Sequence, residues 1–198
     1  MKGFIISLAI ATGIALYMFW PESEVKQPVG ILAEDAPIQK NLPSRSKVWK
    51  IEGFEYDAQA SFRVEARLLS KEFYKFGNES SISPVDYAIG WGELSNQAVV
   101  ENIDFSQKNR WYFWKTDGYP ISNNVIQRST ANIHIIPAND RVRQMLDKIK
   151  KGNIFELKGF LVDVKGSDGW RWRTSTTRTD TGGGSCEIVW VEELRLIR

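Results

Sequence analysis

From Ser61 to Ser70 the chain reads SFRVEARLLS, with Phe62, Val64, Ala66 and Leu68 alternating against Arg63, Glu65 and Arg67. A period of two places the apolar set on one face of a strand and the charged set on the other, which predicts a half-buried strand. RWYFWK (Arg110–Lys115) and ANIHIIP (Ala131–Pro137) are short runs of aromatic and β-branched residues, a composition that suits a pleated surface. The period then changes. Asn139 or Asp140 can cap a helix carrying Val142, Met145, Leu146 and Ile149 on one side, with Lys148, Lys150 and Lys151 toward its end and Gly152 as its stop. Strand pattern resumes in IFELKGFLVDV (Ile154–Val164), turns at KGSDG, and continues in WRWRTS (Trp170–Ser175). After a glycine loop it ends in EIVWVEELRLI (Glu187–Ile197).

Strand, strand, strand, helix, strand, strand is the order of a five-stranded OB-like barrel, whose helix lies between strands 3 and 4. A mainly β, OB-like barrel is the fold expected over residues 47–198, with another small β-barrel or a sandwich as the alternative. The segment between the first two predicted strands, residues 71–109, is long for this fold. A short helix is expected there at Ser95–Ile103, capped by Ser95 with Ala98, Val99 and Ile103 facing inward. SPVDYAIGWGELS (Ser83–Ser95) reads as an ordered loop over the barrel, since Ser83-Pro84 opens a turn and Gly90 and Gly92 bracket Trp91.

The N-terminus has a different pattern. Gly3 to Trp20 is a charge-free apolar run, near the shortest that spans a bilayer as a helix. Lys2 precedes it and Glu22 and Glu24 follow, which orients the remainder of the chain away from the cytoplasm. Tyr17, Phe19 and Trp20 would lie at the interface. A cleaved signal peptide competes, but the residues closing the run are bulky and no small-x-small site follows. Residues 1–20 are therefore expected to be an uncleaved inner-membrane anchor, entering the membrane at residues 3–20 and carrying its C-terminal domain in the periplasm. Residues 21–46 contain Pro21, Pro28, Pro37 and Pro43 with scattered charges, the composition of an extended linker.

Charge narrows the partners. The chain of 198 residues carries a formal net charge of +2, which supplies no broad basic field for a polyanion. The 8 Trp and 10 Phe imply a core or a groove rich in rings. Trp170 and Trp172 would share one face of a strand and Arg171 and Arg173 the other, while Trp111 pairs with Phe113 and Tyr112 with Trp114. Rings interleaved with arginines resemble a single-stranded nucleic-acid surface. The small charge and the exported location argue instead that one ring of each pair fills the core while the other faces a partner or rim. An anion patch from Arg171, Arg173 and Arg178 near the glycine loop is retained. The proposed rim is formed by the Trp91 loop and residues 177–186, including Asp180 and Ser185.

TRTDTGGGSCEI (Thr177–Ile188) holds the sole cysteine, behind three glycines. A nucleophile reading takes Cys186 with His134 as base and Asp180 to orient the imidazole, because the third and fifth barrel strands would pair and bring the first two together. The simpler reading is that Cys186 opens a buried strand and His134 alternates with isoleucines. Asp180-Thr181-Gly182 is not an aspartic protease motif, since too little chain follows it. The glycines lack a P-loop or dinucleotide spacing. One His and one Cys make no paired ligand set, so neither a metal nor a cofactor is expected.

SPVDYAIGWGELS, RWYFW, STANIHIIPA, GFLVDV and WRWRTSTTRTDTGGGSCEIVWVE together resemble a family of small proteins of Gram-negative bacteria, anchored or exported by an N-terminal apolar segment, for which no activity is established. The resemblance spans roughly residues 60–193 in separate blocks. It implies location and single-domain organisation, and it transfers no site residue. The function expected is thus a membrane-anchored envelope module that binds a protein partner or a small anionic ligand, with a Cys186/His134 enzyme of acyl transfer or hydrolysis as the alternative.

Overall fold

The computed structural model describes residues 24–118, 121–177 and 186–198. The anchor expected at 1–20 lies outside them, and no helix among the described residues is long and apolar enough to cross a membrane.

The molecule is mainly β. Five strands close into a ring: β3 (Phe54–Phe73), β4 (Val85–Gly90), β7 (Thr130–Pro137), β10 (Glu187–Leu196) and β8 (Ile154–Gly166), which pairs back to β3. All of these pairings are antiparallel except β7–β10, which is parallel. The alternation read in Ser61–Ser70 holds: Phe62, Val64, Ala66 and Leu68 are buried in the main core. They meet Val85, Tyr87 and Ile89, Ile133 and Ile135, and Val189 and Val191 from the other strands. The side of the ring facing away from this core carries Asp86, Asn132, His134 and Ile188.

Helix α4 (Asp140–Lys148) falls between the third and fourth ring strands and covers the core with Val142, Leu146 and the adjoining Ile149. Its N-cap is Asn139, whose Oδ1 accepts from Val142 N at 3.0 Å, as its sequence predicts. Tyr87 ties it down by donating to Leu146 O at 2.8 Å. Ring closure also depends on Gly159, where a Cβ would lie 1.9 Å from Trp190 O.

Several expectations are corrected. The second ring strand is Val85–Gly90, inside the segment read as a loop. All of its residues are buried, so it shows no alternation to betray it. RWYFWK is not in the ring: β6 (Trp111–Lys115) pairs only with β5 (Asp104–Lys108) in a separate hairpin. The long insertion therefore sits between the second and third ring strands. The expected Ser95–Ile103 helix is a 3-10 turn (Gly92–Ser95) and a short α2 (Gln97–Val100), after α1 (Asn78–Ile82) and before α3 (Asn123–Arg128). Asn96 rather than Ser95 caps α2, accepting from Ala98 N. Only Arg171–Trp172 (β9) of WRWRTS is strand, paired with β8.

The proline-containing linker is not free of the domain. From Glu24 to Asn41 it straps the ring, with Val25 N donating to Lys151 O at 2.8 Å and Leu32 N and Ala33 N to Ser95 Oγ at 3.0 and 3.1 Å. It then enters β1 (Ile38–Asn41), which pairs with β3, as does β2 (Val48–Ile51). Gly152, at φ 93°, admits this strap: a Cβ there would stand 1.9 Å from Val25 O.

Candidate functional site

The hairpin β5–β6 is joined by two residues, Asn109 and Arg110, with φ of 54° and 69°. Such a two-residue turn matches the right-handed twist of its strands, and Asn tolerates the left-handed region. Arginine gains nothing there locally, at a cost of about 1 kcal/mol. Its contacts account for the placement. Arg110 Nη1 donates to Asp86 Oδ1 at 2.7 Å, Nη2 to Ser83 O at 3.0 Å, and the backbone N to Tyr74 Oη at 3.0 Å. The guanidinium carbon lies 4.0 Å from the Tyr74 ring centroid and 5.7 Å from that of Trp172. Burial pushes the Tyr74 phenol above its ordinary value, which keeps it neutral.

Asp86 is fully buried on β4 and stands opposite His134 on β7. His134 Nδ1 lies 2.9 Å from Asp86 Oδ1, the oxygen that Arg110 already holds, though not aligned for a hydrogen bond. Asp86 Oδ2 has no hydrogen-bond partner among the described residues. Asn132, two residues before His134, donates from Nδ2 to Arg110 O at 3.0 Å and accepts from Gln107 Nε2 at 2.8 Å. It thereby fixes the hairpin tip to β7. Tyr112 adds a bond to Thr130 at 2.9 Å, in which its hydroxyl is the donor because Thr130 Oγ1 gives its proton to Ile126 O.

These groups form one wall of an open cleft of about 550 Å³. Arg110, Trp111, His134, Arg171, Trp172, Arg173 and Cys186 line it. The Trp172 ring centroid is 4.8 Å from that of His134 and 6.0 Å from that of Trp170. Arg171 and Arg173 are exposed, and no carboxylate stands within ion-pair distance of either among the described residues. Asp163 is held above its usual range by burial, accepts from Thr174 N and feels the charge of Arg173. Cys186 is half-buried, with Sγ 3.7 Å from Asn132 Nδ2 and 3.9 Å from Arg110 O.

Of the residues expected from sequence, Arg171, Arg173, His134 and Cys186 meet in this cleft. Trp91 does not: it is 4% exposed, lies in the main core and follows the far end of β4 from Asp86. Arg178, Asp180 and Ser185 lie outside the described residues. Among the described residues, the carboxylate that stands beside His134 is Asp86. Asp86, Arg110 and Asn132 went unselected in the sequence. Two signals were present: one carboxylate inside the apolar run PVDYAIG, and two alternating runs separated by the dipeptide Asn109-Arg110. Among the described residues no group of His, Cys, Asp and Glu could hold a metal ion. No family model matches the chain, and neither the curated proteins nor the solved structures contain a significant match to it.

Proposed function

We propose that this protein is a membrane-anchored binding or accessory module of the periplasm, in which an OB-like barrel binds a small anionic ligand. The observation that carries the reading is the convergence of Arg110, Arg171 and Arg173 on one cleft where, among the described residues, Arg110 alone is in an ion pair. Exposed guanidinium groups favour phosphate or carboxylate ligands through charge-assisted, bidentate hydrogen bonds. Two further features support it. The order and direction of the ring strands, with α4 between the third and fourth, are those of an OB barrel, and such barrels bind on the face of strands 2 and 3 beside the loops joining strands 1–2 and 4–5. Tyr74 and Ser83 belong to the first of those loops, and Arg171 to Arg173 to the second. The membrane location rests on the apolar run at residues 3–20.

Titrating inorganic phosphate into the full chain, followed by tryptophan fluorescence, tests the reading. A saturable change that weakens at least about tenfold in Arg171→Ala/Arg173→Ala supports it, each charge-assisted bond being worth about 1.5–3 kcal/mol. A linear, unsaturated response in the native chain overturns it.

A second reading is favoured by one observation: His134 stands beside a buried carboxylate, and Cys186 lines the same cleft. That is the composition of a Cys/His enzyme for acyl transfer or hydrolysis. Its signature is iodoacetamide labelling of Cys186 that persists well below the ordinary thiol range. Labelling that follows an unperturbed thiol, or none in the folded chain, eliminates it.

A further inference from the structure

The charge and shape of the cleft say more about the ligand, given the anion-binding reading above. Arg110 is held in an ion pair with Asp86, whereas among the described residues no carboxylate lies within ion-pair distance of Arg171 or Arg173, and Asp163 acts on Arg173 only from further off. Two guanidinium groups held in no ion pair among the described residues match a dianion better than a carboxylate or a sulfate ester, both of which carry one charge. The cleft, at about 550 Å³, is also in the size range of pockets for whole organic molecules rather than for a bare oxyanion. Its ring walls differ in availability. Trp172 is hemmed by His134, Trp170 and Arg110, whereas Trp111, next to Arg110 on the hairpin, is 39% exposed. An exposed indole in the same cleft as two exposed arginines is a stacking surface for a flat ring whose charged substituent reaches the guanidinium groups.

We infer that the ligand is a phosphate monoester of a flat ring system, its ring against Trp111 and its phosphate between Arg171 and Arg173. Asp86 holds Arg110 and the hairpin tip, and thereby sets the distance between the two subsites.

Calorimetric titration of the full chain with 1-naphthyl phosphate, butyl phosphate, 2-naphthoate and inorganic phosphate tests this. Naphthyl phosphate should bind about tenfold tighter than butyl phosphate, the scale of one stacking contact, and tighter than naphthoate by a similar factor. Trp111→Ala should bring naphthyl phosphate down to the affinity of butyl phosphate. As an exposed residue, Trp111 can be replaced without endangering the fold. If naphthyl and butyl phosphate bind equally, or naphthoate as tightly as naphthyl phosphate, this inference is overturned while anion binding stands. If none of the four binds, the anion-binding reading falls and this inference with it.

Discussion

Glu156 on β8 and Asp86 on β4 are both buried carboxylates on the outer side of the ring, but their oxygens are engaged differently. Glu156 Oε1 accepts from Arg63 at 2.7 and 2.8 Å, and Oε2 accepts from both Nε and Nη2 of Arg195, with Lys158 Nζ at 3.6 Å. Its cations are open to water on their other sides, Arg63 being 57% and Arg195 56% exposed. Asp86 has one oxygen serving Arg110 and His134, which are themselves only 19% and 4% exposed, and its other oxygen meets no donor among the described residues. A carboxylate saturated by hydrated arginines joins β3, β8 and β10. A carboxylate with buried partners aims them. Glu156 belongs to the sheet and Asp86 to the cleft.

Replacing each acid separates the two roles. Asp86→Ala leaves a largely buried guanidinium without its counter-charge, a change that costs about 3–5 kcal/mol in comparable buried pairs. Urea unfolding should show that loss, and phosphate binding should fail with it as the hairpin tip comes away. Glu156→Gln should cost less, about 1–3 kcal/mol, because the freed arginines are already solvated, and phosphate affinity should stay unchanged. Equal losses of stability and of binding in both variants would dissolve the distinction.

The pH dependence sharpens it further. Burial pushes the Glu156 carboxyl upward, but hydrogen bonds from Arg195 and Arg63 outweigh it and hold its pKa below the ordinary 4.5. A lowered folded-state pKa means that its stabilisation is complete above 4.5 and is lost as pH falls through the folded value. The urea midpoint should therefore decline between about pH 5 and pH 3, with a shallower slope in Glu156→Gln. A slope identical in the two proteins would remove Glu156 from the account. The smallest stability effect belongs to the cleft itself. Arg171→Ala and Arg173→Ala should each change stability by under about 0.5 kcal/mol, since both side chains are exposed, while weakening anion binding.

What was legible in the sequence follows from periodicity. The alternation at Phe62–Leu68 and the helical face of Val142, Leu146 and Ile149 pointed correctly to a ring strand and a helix on the core. The strand order emerged in spite of a misplaced member: RWYFWK looks like a barrel strand because Tyr112 and Trp114 do alternate inward, but against a satellite cluster with Phe105 rather than the ring. Val85–Gly90 was hidden by its own burial on both faces. At the site, Arg171, Arg173, His134 and Cys186 were recoverable from residue type and strand pairing. Asp86 and Arg110 were not, since their significance depends on a hairpin folding back over β4, a contact between residues 24 positions apart. Trp91 looked like an exposed loop aromatic between glycines. Its backbone N–H instead donates to Ser129 O at 3.0 Å, and that of the neighbouring Gly92 donates to Ala33 O of the strap.

The indole N–H signals of the tryptophans test the cleft most directly. In a nitrogen-15 spectrum of the full chain titrated with inorganic phosphate, the signals of Trp111 and Trp172 should move together and saturate, while that of Trp91, buried in the core, stays fixed. In Arg171→Ala/Arg173→Ala the shifts should vanish. Shifts confined to Trp91, or none at any tryptophan, would contradict an anion site between the hairpin tip and β9.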